Sequence, residues 1–289
     1  GKAYQVNYRF EEATVVLESL IARLSESKKK EDKILVQDAQ HGLQNCRNGK
    51  ELINNKVFAD IKNIGAPINS EAMEYVPVIS TDESVMYFTY RGEKSVGGKQ
   101  AFYEKPEADG SDAVDGFFYA EDIYYSDKTG DSYSAPKPIE SINTKGFEAA
   151  IGMSPDGQTM FTFNSSGSDS GDIFMCKLKG DKWDPPVHLN SNINTDGYWE
   201  GSCSISADGK YLYFSSEKPG GLGGRDIYVS EMVNGDWGPG VNLGPKINTK
   251  LHDDAPFIHP DGITLFFSSE GHMSIGGYDI MFTIKKDNE

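Results

Sequence analysis

Short apolar runs separated by tight polar turns recur four times along the chain. Each copy begins with a carboxylate and reaches a turn aspartate eight residues later, in the ranges 74–83, 148–157, 200–209 and 253–262. An aromatic run follows each turn, and an Asp-Ile pair follows later, at Asp122, Asp172, Asp226 and Asp279. Asp-Gly supports the positive φ of a tight hairpin turn, and short aromatic or β-branched runs between turns are typical of strands. The pattern therefore predicts repeated antiparallel strands.

The spacing of the copies identifies the class of fold. The turn aspartates Asp156, Asp208 and Asp261 lie 52 and 53 residues apart, whereas Asp82 precedes Asp156 by 74 residues. A period near 50 residues with four strands per unit is typical of a β-propeller blade. We predict an all-β propeller with four visible blades over residues 56–289. The first blade carries an aromatic-rich insertion at 92–120, either a partner-binding lid or an excursion without function.

The two ends of the predicted propeller are related. The fourth copy stops after its third strand, near Ile284, while residues 61–69 resemble the outer segment 241–248 of the third copy. We therefore predict that the N-terminal strand completes the last blade and closes the ring. A protein with further blades is the alternative.

Residues 1–55 have helical periodicity. Two helices are predicted, over 3–27 and 32–54, with one apolar face each; the predicted face residues are Ala13, Leu17, Leu20, Ile21 and Leu24, then Ile34, Leu35, Ala39 and Leu43. Residues 7–13 resemble the turn and second-helix start of a tetratricopeptide repeat. We expect a truncated repeat of this kind as a separate domain.

Charge is concentrated in the β-rich part. Of 28 basic and 44 acidic residues, 10 and 8 lie in residues 1–56, so residues 57–289 carry 18 and 36. This balance argues against nucleic acid as a partner, because phosphates require a basic footprint. It suits a basic partner or a cation. No apolar run approaches the length of a membrane helix, and three cysteines without a CxxC pair predict buried thiols rather than a zinc site.

The leading carboxylates of the copies are the main candidate site. Glu74, Glu148, Glu200 and Asp253 occupy equivalent positions at the start of each innermost strand, so a propeller would place them in a ring near the channel mouth. Such a ring would attract a cation or a basic side chain of a partner. The alternative is that each carboxylate accepts backbone hydrogen bonds and serves packing alone.

Other candidates are weaker. Tyr198 and Trp199 beside the ring suggest a sugar-binding surface, and His252 beside Asp253 suggests a metal ligand. The glycine-rich segment 220–224 leads into a strand rather than a helix, which is typical of a hairpin loop and not of a phosphate loop. We find no GxSxG and no convincing nucleophile–histidine set, so we predict no catalytic residues and no cofactor beyond a possible cation at the ring.

The repeats resemble a known family. Segments 154–157, 216–228 and 258–269 look like PD-type WD-like repeats, also called TolB-like propeller repeats. Together with a tetratricopeptide-like segment ending in residues 46–50, they resemble Bacteroidetes envelope proteins built of tetratricopeptide repeats, a propeller and an OmpA-like domain, which include a type IX secretion component. The resemblance implies a periplasmic, outer-membrane-associated scaffold. No signal peptide or OmpA-like domain is recognisable in these residues.

We therefore expect a non-catalytic scaffold that binds a protein or peptide in the bacterial envelope, with a possible peripheral association with the outer membrane. Two alternatives remain open at this point. One is a carbohydrate- or peptidoglycan-binding propeller, and the other is a propeller hydrolase with a site at the channel mouth.

Overall fold

The structure is a computed structural model that describes residues 2–55, 60–101, 117–165 and 171–286. Its described part is mostly β, with helices confined to the N-terminal region. The three helices are α1 (Lys2–Val6), α2 (Phe10–Leu24) and α3 (Lys30–Asn54). A break at Tyr8, whose φ is +57°, divides the first predicted helix in two.

The helices α2 and α3 pack as an antiparallel pair. Phe10, Ala13 and Leu17 of α2 bury against Ala39 and Cys46 of α3. The helices approach closely, since a Cβ at Gly49 would lie 2.4 Å from the Phe10 ring.

Two of the predicted core residues are not buried. Ile34 and Leu35 are 48% and 45% exposed. They lie beside the connection between the two helices, where only the last turn of α2 is left to cover α3. The apolar face that the periodicity predicted is therefore buried along only part of α3.

The long strands fall into four antiparallel groups, one for each repeat, which we call blades 1 to 4. One parallel pairing, Glu121 with Phe147, joins blades 1 and 2 into a single ten-stranded sheet. In chain order, blade 1 and its insertion comprise β1 (Met73–Ile79), β2 (Val85–Arg91), β3 (Lys99–Ala101), β4 (Phe117–Tyr119), β5 (Glu121–Thr129), β6 (Ser132–Tyr133) and β7 (Lys137–Pro138). Blade 2 comprises β8 (Phe147–Met153), β9 (Thr159–Ser165), β10 (Asp172–Lys179), β11 (Lys182–Trp183) and β12 (Val187–His188). Blade 3 comprises β13 (Glu200–Ile205), β14 (Tyr211–Ser216), β15 (Asp226–Val233), β16 (Asp236–Trp237) and β17 (Val241–Asn242), and blade 4 comprises β18 (Asp253–Ile258), β19 (Thr264–Ser269) and β20 (Asp279–Ile284).

Every blade has three long strands, and blades 1 to 3 add an outer edge made of two short strands. The predicted strand starts are confirmed: β8, β13 and β18 begin within one residue of the leading carboxylates, and β10, β15 and β20 begin at their Asp-Ile pairs. In the insertion, β3 pairs with β4. Phe102 and Tyr103, two of the aromatic residues of this insertion, lie outside the described residues.

Aspartates organise the turn between the first two strands of each blade. Asp156 Oδ1 accepts the Ser154 hydroxyl at 2.5 Å and the Gln158 N–H at 3.0 Å, and Asp82 makes the same contacts with Ser80 and Ser84. The next residue is left-handed, with φ of +69° to +72° at Gly157, Gly209 and Gly262. In blade 1 this position is Glu83, with φ of +56°.

Glu83→Gly is expected to raise the free energy of unfolding by about 0.5–1 kcal/mol. The left-handed conformation costs a residue with a Cβ about 1–2 kcal/mol, and glycine avoids this cost. Part of the gain is lost because glycine makes the unfolded chain more flexible. Urea unfolding followed by circular dichroism measures the change. Gly209→Ala, at the same turn of blade 3, should destabilise the protein instead. A Glu83→Gly variant no more stable than the wild type, or a Gly209→Ala variant of unchanged stability, would contradict this account of the turn.

Consecutive blades pack face to face. Tyr87 and Tyr125 of blade 1 meet Met160, Cys176 and Trp183 of blade 2. The core between blades 2 and 3 centres on Phe161 and Phe214, which are 2% and 0% exposed, and Tyr213 of blade 3 packs on the core of blade 4. The outer-edge tryptophans Trp183 and Trp237 are buried in these cores. Side-by-side four-stranded sheets of this kind are the arrangement of propeller blades.

The predicted ring closure is not confirmed. Among the described residues, β20 pairs only with β19, and residues 60–72 form no strand. Ile68 is buried against Met86, Phe88 and Tyr90, so the segment is attached to blade 1. Ile280 and Phe282 of β20 remain 82% and 64% exposed.

The helices contact the other end of the β part. Asn48 Nδ2 donates to the Ser274 carbonyl at 2.8 Å, Asn45 Nδ2 donates to the Gly276 carbonyl at 3.3 Å, and Ile275 packs on the helical core. Blade 4 is therefore attached to α3. The division into domains at residues 55 and 56 stays a prediction.

Candidate functional site

The four leading carboxylates lie at the starts of the inner strands, as the repeat predicts. Glu148, Glu200 and Asp253 are 2%, 0% and 0% exposed, and Glu74 is half-buried. Each accepts the N–H of a residue in the turn just before it, at 3.2 Å from Ser70, 3.0 Å from Thr144, 3.1 Å from Thr195 and 2.5 Å from Thr249.

Each carboxylate also accepts a hydroxyl group. For Glu200 it comes from Ser216 and for Asp253 from Ser269, both on the neighbouring strand of the same blade. The carboxylates thus tie the inter-blade turn to the sheet, which is the packing role considered for them as an alternative. Among the described residues, no group of three or more His, Cys, Asp or Glu side chains could hold a metal ion. A role of the four carboxylates as a ring for a partner or a cation stays a prediction.

Burial changes the acidity of two of these groups. Desolvation raises the pKa of Glu148 and of Glu200 above the usual value, although hydrogen bonds from Thr144 and Ser216 act in the opposite direction. Because a raised pKa means that the folded protein prefers the protonated form, both carboxylates cost stability when ionised.

We therefore expect the free energy of unfolding to rise as pH falls from 7 toward about 4.3, the pKa of an unfolded glutamate. Hydrogen bonds lower the pKa of the turn aspartates, so their ionised form stabilises the fold. Below that pH range these aspartates become protonated, and the free energy of unfolding falls again. Urea midpoints at pH 7, 6 and 5 measure the rise. The rise should be smaller in Glu148→Gln/Glu200→Gln, and an unaltered dependence on pH in this double variant would refute the assignment.

A second cluster lies where blade 3 meets blade 4. The Arg225 guanidinium sits 3.8 Å from the ring centre of Trp199, a cation–π contact. Its Nη1 donates to Asp254 Oδ2 at 2.9 Å and its Nε to Glu217 Oε1 at 3.0 Å. We call Trp199, Arg225, Asp254 and Glu217 the platform. Its charged groups are partly exposed, with 28% of the Arg225 side chain and 14% of the Asp254 side chain accessible.

Residues of blade 3 hold the platform in place. The Trp199 ring lies against Gly201, where a Cβ would be only 1.8 Å from Trp199 Cζ2. Asp254 Oδ1 accepts the hydroxyls of Ser202 and Ser215 at 2.5 and 2.7 Å. Fixed partners of this kind hold the guanidinium in one orientation, so binding a ligand would cost it little conformational entropy.

The weaker candidates from the sequence fall around this platform. Tyr198 is 38% exposed, and Trp199 belongs to the platform. His252 is half-buried with its ring against Gly224, and its Nδ1 is buried without a hydrogen-bond partner. Arg225 and Asp254 were missed by the sequence analysis. The sequence did mark Arg225 as an exception to the repeat. The residues that precede the other Asp-Ile pairs are Glu121, Gly171 and Tyr278.

Ser202 and Ser215 are bonded to a carboxylate, and within the described residues no Ser, Thr or Cys side chain bonds a histidine ring. Burial raises the pKa of the Cys176 thiol to about 12 and raises that of Cys203 further, so neither is a ready nucleophile.

No helix of the described part combines the length and apolarity needed to cross a membrane. No protein-family model matches the chain, and no curated protein is significantly similar to it in sequence. Solved structures do share its overall shape in part.

TolB from Acinetobacter baumannii is 17% identical with a TM-score of 0.48, covering 74% of this chain and 42% of its own. A gluconolactonase from Xanthomonas campestris is 17% identical with a TM-score of 0.44, covering 73% and 57%. The α-L-arabinofuranosidase PaAbf62A from Podospora anserina is 13% identical with a TM-score of 0.42, covering 77% and 65%. This chain thus spans less than two thirds of each of the three, and at these scores the likeness carries no conclusion about activity.

Proposed function

We propose that this chain is a non-catalytic module that binds a protein or peptide in a bacterial envelope assembly, and that the platform is its binding surface. The observation that carries the proposal is the Arg225 guanidinium, stacked on Trp199 and bonded to two carboxylates at a partly exposed junction of blades. The envelope setting follows from the TolB-like repeats.

A protein ligand is favoured over a sugar by the state of Trp199. Sugars bind tryptophan by stacking on a free face of the ring. Here Arg225 covers one face of the ring and the Gly201 backbone lies against the ring, which leaves less of it for a sugar to stack on. Tyr198 and Tyr278, 38% and 44% exposed, are left to contact a ligand at their edges and hydroxyls, which suits a peptide.

The charge around the platform indicates the chemistry of the partner. Arg225 is neutralised by Asp254 and Glu217 together, so the cluster keeps a net negative charge, and residues 57–289 carry twice as many acidic as basic residues. Electrostatic steering would speed association with a basic segment. We therefore expect the bound segment to be basic and the binding to weaken with salt.

The test is a pull-down from a Bacteroidetes envelope extract with the immobilised chain. Arg225→Gln should lose the captured protein, whereas Arg23→Gln, the same change on the exposed side of α2, should keep it. Equal capture by both variants would contradict the proposal.

The catalytic alternative is tested separately. The wild-type chain is incubated with lactone, aryl-glycoside and peptide substrates. We expect no turnover of any of these substrates. Turnover by the wild-type chain that is lost in Arg225→Gln would overturn the non-catalytic assignment.

A further inference from the structure

Two amide side chains close the junction between blades 2 and 3. The Nδ2 groups of Asn190 and Asn192 donate to the Trp237 carbonyl at 2.9 and 2.7 Å. The two asparagines lie in the turn that leaves blade 2, and Trp237 lies in the short outer strand β16 of blade 3. These hydrogen bonds therefore attach the turn of one blade to the outer edge of the next.

The junction between blades 1 and 2 has the same carbonyl at Trp183. Trp183 pairs with Leu178 across its hairpin as Trp237 pairs with Met232. Positions in an antiparallel pair alternate between hydrogen-bonded and non-hydrogen-bonded pairs, so the same register gives both carbonyls the same direction, toward the preceding blade.

The donors for this carbonyl are missing from blade 1. Segment 139–143 has five residues where its counterpart 189–194 has six, and its inner residues Glu140, Ser141 and Ile142 carry no amide. Among the described side chains, none donates a hydrogen bond to the Trp183 carbonyl. A buried acceptor that is paired at one junction is thus left open at the other.

A cavity of about 850 Å³ lies at this open junction. Tyr87 and Tyr125 of blade 1 and Trp183 of blade 2 line it, together with Glu140 and Ser141 of the short turn. The Tyr87 ring lies 6.3 Å from the Tyr125 ring and 6.0 Å from the Trp183 ring, between centres. The volume falls in the range of about 300–1,000 Å³ that is usual for small-molecule sites.

The rim of the cavity is charged. Its acidic residues are Asp127, Glu140 and Asp181, and its basic residues are Lys137 and Lys182, so one negative charge is in excess. Lys137 Nζ lies 3.9 Å from Asp127 Oδ2, and the two side chains are 58% and 52% exposed. An exposed ion pair of this kind contributes only about 0–1 kcal/mol, so a cationic ligand can displace Lys137.

The lining specifies the chemistry of a ligand. Carbonyl and carboxylate oxygens only accept hydrogen bonds, and aromatic rings attract a cation to their faces. A guanidinium group meets all of these demands, because it is flat, permanently charged and carries five N–H donors. The chain contains one such arrangement already, since Arg225 stacks on Trp199 and donates to Asp254 and Glu217.

We propose that the cavity between blades 1 and 2 is a binding site for a guanidinium group, carried by a small arginine derivative or by an arginine side chain of a peptide. The guanidinium donates to the Trp183 carbonyl and to the Glu140 carboxylate, and its flat face lies on an aromatic ring of the cavity. It supplies the N–H donors that Asn190 and Asn192 supply at the next junction. This site is separate from the platform and does not rest on the proposed function.

The test is calorimetric titration of the whole chain with argininamide, with the peptide Gly-Arg-Gly and with Gly-Lys-Gly. We expect saturable binding of a guanidinium probe with a Kd of about 0.1–1 mM, as one charged and stacked group supports. Binding of the amide alone assigns the site to small molecules, and binding of Gly-Arg-Gly assigns it to peptides. No saturable binding of either probe, or equal affinity for Gly-Lys-Gly, would overturn the proposal.

Three variants locate the site. Glu140→Gln should weaken binding about fivefold or more, since a charge-assisted hydrogen bond is lost. Glu140 is exposed, so folding should be preserved, and Glu31→Gln on the exposed side of α3 is the matched control that should bind normally. Arg225→Gln should also bind normally, because it alters only the platform. Unchanged affinity in Glu140→Gln, or binding that is lost in Arg225→Gln, would show that the guanidinium does not bind in this cavity.

Discussion

Asn194→Ala is expected to lower the free energy of unfolding by about 2–4 kcal/mol, a large loss for one uncharged side chain. The amide is 3% exposed and bonds both backbone groups of Ile173 as well as the Leu189 carbonyl at 3.2 Å. Alanine would leave these buried groups unpaired where no water reaches them, and each unpaired group costs about 1–3 kcal/mol. Urea unfolding monitored by tryptophan fluorescence measures the loss.

We call the two hydrogen bonds between the Asn194 side chain and the Ile173 backbone the clamp. The variant Asn194→Asp distinguishes the contribution of these bonds from that of side-chain packing. Aspartate has nearly the same shape and keeps the acceptor for the Ile173 N–H, but it lacks the donor and places a charge against two carbonyl oxygens. It should therefore destabilise the protein at pH 7 at least as much as alanine does. If Asn194→Asp were neutral, or if alanine cost less than about 1 kcal/mol, the clamp would not be what joins blades 2 and 3.

The strands were predictable because their signals are local. Asp156, Asp208 and Asp261 build their turns with neighbours two or three residues away, so residue type alone marks the turn. The Asp-Ile pairs mark strand starts for a similar reason. Asp226 Oδ2 accepts the Leu222 N–H at 2.6 Å, and Asp279 accepts that of Ile275 at 2.8 Å, each four residues earlier.

The arrangement of the ends was not predictable in the same way. Residues 63–69 carry the same local turn as 242–248, so the sequence pattern matches whether or not a strand is clamped. The positions of the two ends depend on the burial of Ile68 on blade 1 and on the docking of α3 on blade 4, which are contacts between residues far apart in the chain. The repeat pattern of the sequence contains no information on either of these contacts.

The platform shows why the site was found only in part. Repeat analysis draws attention to positions that all copies share, and these turned out to be bonded within their own blades. Arg225 and Asp254 are specific to one junction and meet across two blades, 29 residues apart in the chain. Residues that break the repeat are therefore candidates for a binding surface that a search for shared positions does not find.

Gly201→Ala is expected to dismantle the platform and to cost about 1–3 kcal/mol of stability, since it adds a methyl group where no space exists. The new Cβ would lie 1.8 Å from Trp199 Cζ2 and 2.3 Å from Cε2, so the indole must leave its place beneath Arg225. Trp183 and Trp237 are buried, so increased acrylamide quenching of fluorescence would report on Trp199. Gly277→Ala is the matched control, because no atom lies within 4 Å of its Cβ position. Unchanged quenching and stability in Gly201→Ala would mean that the indole is free to move, and a rigid platform would then no longer explain binding.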